Sequence, residues 1–243
     1  MYHHRSTLGP VELAFTDRHG GVSGAPWDSL NLAFFEDGER TVPQRNLRLL
    51  LDDFAPGCGV SDLSQVHGDA VVRAERPHDP EVAGTRPRAD GLVTDRPDLV
   101  LLVRAADCVP VLLADPRARV VGAAHAGRQG VAVDVVTRTV EAMRDLGARD
   151  VTAWIGPHVC GSCYEVPAEL RDEVAAAVPA TRATTSWGTP ALDLGAGVRA
   201  QLEQAGATVV DVSACTLESP DLYSYRRDGA GSGRLAGLVR TRS

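Results

Sequence analysis

Lysine is absent from this 243-residue chain; all 25 of its basic side chains are arginine. Without a side-chain amine there is nothing to form a Schiff base, to hold pyridoxal phosphate in the usual way or to complete a Walker A loop. Methionine occurs only as Met1 and Met143, and the seven histidines include no H-x-H pair. A trinuclear copper cluster joined to a methionine-ligated blue-copper centre is set aside on that ligand arithmetic. No run of about 18 apolar residues exists, so nothing reads as a transmembrane helix, and Met1 to Pro10 lacks the apolar centre of a signal peptide. No G-x-G-x-x-G follows a strand-like run, which removes support for a dinucleotide fold.

The remaining composition is that of a globular protein. Hydrophobic residues make up 44% and charged residues 23%, and 32 acidic against 25 basic side chains leave a net charge of −7. An acidic chain whose arginines are scattered is poorly suited to phosphate backbones, so no nucleic-acid partner is expected. Five cysteines, an odd number spread over this length, do not form a secreted disulfide framework. The expectation is a cytoplasmic protein of one domain, residues 1–243, with no membrane association and no obligate protein partner.

Short apolar runs and turn signals alternate along the chain. Val11 to Thr16, Val71-Val72, Leu99 to Val103, Val109 to Ala114, Val120 to Ala124, Val151 to Ile155, Thr208 to Val212 and Leu235 to Val239 read as strands, the middle ones buried on both faces. Helical stripes are expected from Thr41 through Phe54, from Gly130 to Leu146, from Pro167 to Val178 and from Leu194 to Ala205. Arg76 to Arg88, with three prolines, is the most linker-like stretch. Strands and helices mix without strict alternation, which predicts an α+β or mixed α/β sandwich rather than a doubly wound sheet.

Three segments put a ligand-type side chain where a strand turns into a loop: Gln65-Val66-His67-Gly68, Ala106-Asp107-Cys108-Val109-Pro110 and Ala124-His125-Ala126-Gly127. Two imidazoles and one thiolate suit Zn²⁺ and leave a fourth position for water or substrate. The same residues also fit a plainer reading, a buried thiol acting as a small hydrophobe and histidines satisfied by hydrogen bonds. Cys160-Gly161-Ser162-Cys163 has the spacing of a redox or metal motif, but no second C-x-x-C, no H-x-E and no P-C-x-x-C accompanies it. It is expected to be a loop beside the site, with Cys58 and Cys215 structural. Tyr223 to Arg234, rich in arginine, tyrosine and glycine, could hold a phosphate and stack on a base, or form a solvated loop.

In order along the chain stand Phe15-Thr16 with Gly20-Gly21-Val22-Ser23, Ser29-Leu30-Asn31, Gln65-Val66-His67-Gly68, Ala89-Asp90-Gly91, Ala106-Asp107-Cys108-Val109-Pro110, His125-Ala126-Gly127, Gly156-Pro157, Tyr164-Glu165-Val166 and Ser224-Tyr225-Arg226-Arg227. Together they resemble the laccase-domain family, often labelled multicopper polyphenol oxidase and read as purine nucleoside phosphorylase or peptidoglycan editing factor. The resemblance implies a four-layer α/β/β/α sandwich with mixed sheets and a zinc site whose ligands fall on His67, Cys108 and His125. It implies phosphorolysis of adenosine, inosine and methylthioadenosine, with adenosine deamination beside it. This chain departs from the pattern at Arg128-Gln129, where Trp-Arg is usual, and at Ser162, where a cysteine is usual.

The expected function is therefore a zinc enzyme acting on purine nucleosides and phosphate. Arg48 and Arg226 are the candidates for phosphate or ribose, and Asn31 and Gln65 for hydrogen bonds to substrate. A rival reading makes Cys108 a nucleophile and His125 its base, in an amidase editing peptidoglycan precursors. A third is a non-catalytic, metal-dependent ligand-binding protein.

Overall fold

Central strands buried at every residue, on both faces, set up the architecture. The computed structural model describes residues 1–34, 41–78 and 86–242. Among them, one five-stranded sheet runs in the order β1 (Tyr2–Leu8), β2 (Val11–Thr16), β13 (Leu235–Thr241), β6 (Leu99–Ala105), β3 (Gly59–Ser61). A six-stranded sheet runs β12 (Thr208–Asp211), β9 (Thr152–Ile155), β7 (Val109–Asp115), β8 (Val120–Ala126), β5 (Gly91–Thr94), β4 (Val71–Arg73). A two-stranded ribbon pairs β10 (Arg182–Thr184) with β11 (Pro190–Leu192). Both large sheets mix parallel and antiparallel pairs.

Period-2 alternation divides each strand between two cores. Leu13 and Phe15 of β2, Leu101 and Val103 of β6, Leu112 and Ala114 of β7, and Val121 and Ala123 of β8 fill the space between the two sheets. The intervening residues face outward. Val109, Val111 and Leu113 of β7 and Ala124 of β8 pack under α3 (Val135–Asp145), α4 (Ala168–Ala177) and α5 (Leu194–Gln204). On the other side, Val100 and Leu102 of β6 and Leu238 of β13 pack under Leu47, Leu50 and Phe54 of α1 (Thr41–Phe54). The result is helix, sheet, sheet, helix. This is the mixed α/β class that the strand and helix pattern predicts, in the layer order the family resemblance implies.

Two expectations need correction. The stripe from Gly130 to Leu146 is two helices, α2 (Arg128–Ala132) and α3, because Asp134 adopts φ +62° and its carboxylate accepts the N–H of Thr137 as the cap of α3. The edge strand β1 was not foreseen, since its half-exposed alternation (Tyr-His-His-Arg-Ser-Thr-Leu) carries little apolar signal. Of the linker-like stretch Arg76 to Arg88, residues 79–85 lie outside the described residues. A short helix α6 (Tyr225–Asp228), capped by Ser224, completes the set.

Candidate metal centre

Three adjacent strands bring their ends to one place. In the β7–β8 pair, Val109 faces Ala126 and Pro110 faces His125, so Cys108, one residue before β7, stands beside the end of β8. Alternation turns His125 to the side of Val121 and Ala123, the inter-sheet side. Asp90 lies one residue before β5, the other neighbour of β8. His67 comes from the turn between β3 and β4, with its backbone at φ +61°. The ligand atoms of His67, Cys108 and His125 all lie within 4.8 Å of one another. Cys108 Sγ is 3.8 Å from His67 Nε2, and the two imidazole rings sit edge to face at 4.9 Å. Gly127 makes this convergence possible, because a Cβ there would stand 2.5 Å from His67 Cδ2 and 3.0 Å from Cys108 Sγ.

Asp90 organises two of the three side chains. Fully buried, its Oδ1 lies 2.8 Å from His125 Nδ1 and accepts the N–H of His67, while Oδ2 accepts the N–H groups of Val66 and Gly68. A carboxylate only accepts, so His125 carries its proton on Nδ1 and turns Nε2 toward the cluster. This carboxylate–histidine pairing is the outer support that metal-binding imidazoles generally have. Burial opposes the Asp90 charge, but the hydrogen bonds from His125, Gly68 and His67 outweigh it and hold the carboxyl below its ordinary value.

Asp107 fixes the third. It adopts φ +83°, its Oδ1 accepts the Thr216 hydroxyl at 2.6 Å, Oδ2 accepts the Arg226 N–H at 2.6 Å, and its carbonyl accepts the Val159 N–H. Two non-glycine residues in left-handed backbone, each tied by several bonds, mark strain that the surroundings sustain at a functional site.

The electrostatics follow from this packing. Desolvation alone would raise the Cys108 thiol, yet the charge and hydrogen bond of His125 and that of His67 bring it down to about 6. Desolvation disfavours the His125 cation, but the Cys108 sulfur and Asp90 lift it to about 9. Both shifts run toward a thiolate beside an imidazolium. A divalent cation would bind the sulfur in that form and displace the imidazolium proton.

The structure redistributes the expected substrate contacts. Arg226 is at the site: its guanidinium lies 4.4 Å from the centre of the Tyr164 ring, whose hydroxyl is raised by burial and then by the Cys108 charge. Gln65 is not available as expected, because both ends of its amide are bound to the backbone of Arg104. The Asn31 side-chain oxygen accepts the N–H groups of Ala33 and Arg234, so it shapes the chain rather than facing a ligand. Arg48 is exposed on α1, over the outer face of the five-stranded sheet, away from the inter-sheet side that carries His125. Tyr164 and Arg234 also lie near Cys108. The half-buried Arg234 guanidinium is held below its ordinary value by desolvation, against the pull of Cys108 and Asp107. Their presence in the quoted tyrosine and arginine motifs was the available signal; their proximity to Cys108 was not. Beside them a cavity of about 570 Å³ is lined by Cys163, Glu165, Trp187, Leu217 and Arg226.

A second group also converges. Cys160, Cys163, Cys215 and Glu218 have ligand atoms within 4.8 Å of one another. The C-x-x-C thus has partners that its sequence neighbourhood does not reveal.

A family model described as multi-copper polyphenol oxidoreductase laccase matches residues 12–242. The chain belongs to this family. It is 50% identical over 237 residues to a Streptomyces griseus protein named purine nucleoside phosphorylase ORF3, covering 95% of this chain and 94% of that one. A Deinococcus radiodurans protein named purine nucleoside phosphorylase is 41% identical over 237 residues, 94% of this chain and 88% of its own. Among solved structures, YlmD from Geobacillus stearothermophilus superimposes with a TM-score of 0.85 at 30% identity, covering 96% of this chain and 93% of the other. The Neisseria meningitidis protein NMB0706 does so with a TM-score of 0.82 at 32% identity, covering 96% and 95%. The laccase family's name invokes copper, but among the described residues only two of the seven histidines enter a metal-type group, and Met143, on α3, is buried in the core. No described helix is long and apolar enough to cross a membrane.

Proposed function

We propose that this member of the laccase family is a zinc-dependent purine nucleoside phosphorylase, converting adenosine, inosine or methylthioadenosine and phosphate to free base and the ribose 1-phosphate. The observation that supports it most is the His67–Cys108–His125 cluster, oriented by Asp90 and faced by Arg226, Arg234 and Tyr164. Relatives at 50% and 41% identity carry the phosphorylase name. The donor set fits zinc: two neutral nitrogens and one thiolate, with a fourth position open. Bound there, zinc would supply Lewis-acid polarisation and lower the pKa of a water.

The chain's own residues supply the rest. Phosphate must be held without lysine; the charges of Arg226, Arg128 and Arg234 reach the Cys108–Tyr164 neighbourhood, and the phosphate is assigned to Arg226 and Arg234. They would place a phosphate oxygen for attack at the sugar carbon while the bond to the purine breaks. Tyr164, with its proton retained, can donate to substrate. Adenosine deamination, in which water replaces the C6 amine and ammonia leaves, uses the same pocket without phosphate.

Adenosine supplied with and without phosphate separates these activities. Adenine and ribose 1-phosphate are expected only with phosphate, and inosine with or without it; no product in either tube overturns the reading. Elemental analysis before exposure to any chelator should find zinc, and Cys108→Ala should lose the ion held by this cluster together with activity. Copper in its place would overturn the zinc assignment.

A second reading is favoured by one observation, the proximity of Cys108 to His125, which lowers the thiol and raises the imidazole. In a cysteine amidase acting on peptidoglycan precursors, Cys108 would attack and His125 would shuttle the proton. Alkylation of the metal-free protein that abolishes an amidase activity, with no phosphorolysis in any metal state, would establish it instead.

A further inference from the structure

The segment Cys160-Gly161-Ser162-Cys163 has a counterpart 55 residues later, Cys215-Thr216-Leu217-Glu218, with the same spacing and a carboxylate in the last place. The fold holds the two segments side by side. His158 and Cys215 form a parallel bridge, with the His158 N–H donating to Ala214 and the Thr216 N–H donating to His158. The first segment turns back on itself, the N–H groups of Cys163 and Tyr164 both donating to the Cys160 carbonyl at 3.0 Å. Gly161 lets this turn press against Asp193, where a Cβ would approach to 2.7 Å. Cys163 is buried, Cys160 and Cys215 half-buried, and Glu218 exposed.

We propose that Cys160, Cys163, Cys215 and Glu218 form a second metal site, a structural zinc held by three thiolates and one carboxylate. Their ligand atoms already lie within 4.8 Å of one another, a spread that ligands about 2.0–2.3 Å from one ion draw together with a small inward shift. C-x-x-C and C-x-x-E supply the four donors of a closed site, and with Zn²⁺ they carry the same formal charge as four cysteines. Backbone amides are placed for thiolates: the Cys160 N–H lies 3.5 Å from Cys215 Sγ, and the Ser162 amide acts on the Cys160 sulfur. A disulfide between any two of the cysteines leaves the third unused, whereas a metal engages all three.

The site has a structural task. Val159 and Thr216, one on each joined segment, are two of the groups that hold Asp107 in its left-handed conformation beside Cys108. Tyr164, which stacks against Arg226, follows Cys163 directly. The ion would clamp, from behind, the two segments on which the Cys108 turn rests.

The test counts metal in proteins purified without chelator. Two zinc ions per chain are expected in the wild type, one in Cys108→Ala, and none when Cys160→Ser and Cys163→Ser are added to Cys108→Ala. If the first centre binds no metal, the wild type holds one zinc that is indifferent to Cys108→Ala and lost with Cys160→Ser/Cys163→Ser, which still supports the second site. Should the serine variants not fold, cobalt loading of Cys108→Ala reads the site in an otherwise intact chain, through thiolate-to-cobalt bands that Glu218→Gln shifts. Zinc content unaltered by Cys160→Ser/Cys163→Ser, cobalt bound to Cys108→Ala without thiolate bands, or a mass two hydrogens low under non-reducing conditions, showing a disulfide among the three, would each overturn the proposal.

Discussion

Asp90→Asn is the sharpest single perturbation of the first centre. The wild-type carboxylate meets four N–H donors, His125 and His67 at Oδ1 and Val66 and Gly68 at Oδ2. Asparagine keeps one oxygen and puts an N–H₂ group where the other stood. Either way round, two donors then face a donor in a fully buried place. At about 1–3 kcal/mol for each unsatisfied buried group, the metal-free protein should lose about 2–6 kcal/mol. The lower figure alone corresponds to a fall of about 4–8 °C in Tm for a chain of this size. With the amide turned toward His125, the imidazole loses its orienting acceptor, and zinc affinity should fall about 10- to 100-fold. With it turned the other way, the His67 turn loosens instead, and the loss appears mainly as stability. Competition against a chromophoric chelator gives the affinity, and calorimetry of the chelated protein gives the melting shift. A variant that binds zinc as tightly as the wild type and melts at the same temperature would refute this account of Asp90.

Three further outcomes follow from the same structure. Gly127→Ala should leave a folded protein but displace His67 and Cys108, since the added methyl would stand 2.5 Å from the His67 ring; undiminished zinc content in a folded variant would contradict this. Arg226→Ala should weaken phosphate-dependent cleavage more than deamination, seen as a larger rise in KM for phosphate than for nucleoside; equal loss of both activities would give Arg226 a structural or nucleoside-binding role. Glu12 is opposed by burial yet held below its ordinary value by Arg5 and Arg240, so its contribution is full above the unfolded carboxylate pKa of about 4.3 and is lost as the pH falls through the lower folded value. Glu12→Gln should therefore cost about 3 kcal/mol at pH 7, with the gap to wild type narrowing toward pH 3; a gap independent of pH would show that the ion pairs do not stabilise the sheet.

Much of the fold was legible because burial on both faces leaves an unambiguous mark. The Val109 to Ala114 and Val120 to Ala124 runs are strands within a residue or two of where their composition places them. Apolar spacing after Thr41 likewise located α1. β1 was hidden because an edge strand lying half in solvent needs few apolar residues. The break at Asp134 was hidden because the valines on either side keep helical spacing through a residue in left-handed conformation. At the site, His67, Cys108 and His125 stood out as ligand types at strand ends. The roles of Asp90 and Asp107 could not be read, since each acts on residues far along the chain that only the sheet order and loop crossings bring near. The neighbours of the C-x-x-C could not be read for a similar reason: Cys215 and Glu218 come after α4 and α5 in the chain.

The three ligand-type side chains are unequally anchored, and this bears on how quickly an ion could come and go. Cys108 and His125 adjoin paired strands whose interior is closed on both faces. His67 is exposed, sits on a turn, and is kept in place by the amide bonds of its own turn to Asp90. Opening that turn removes one donor while the other two stay fixed, whereas moving either of those requires the sheet to part. Metal exchange should therefore follow the opening rate of a single loop, leaving a two-coordinate seat ready for the next ion, and should run far faster than unfolding.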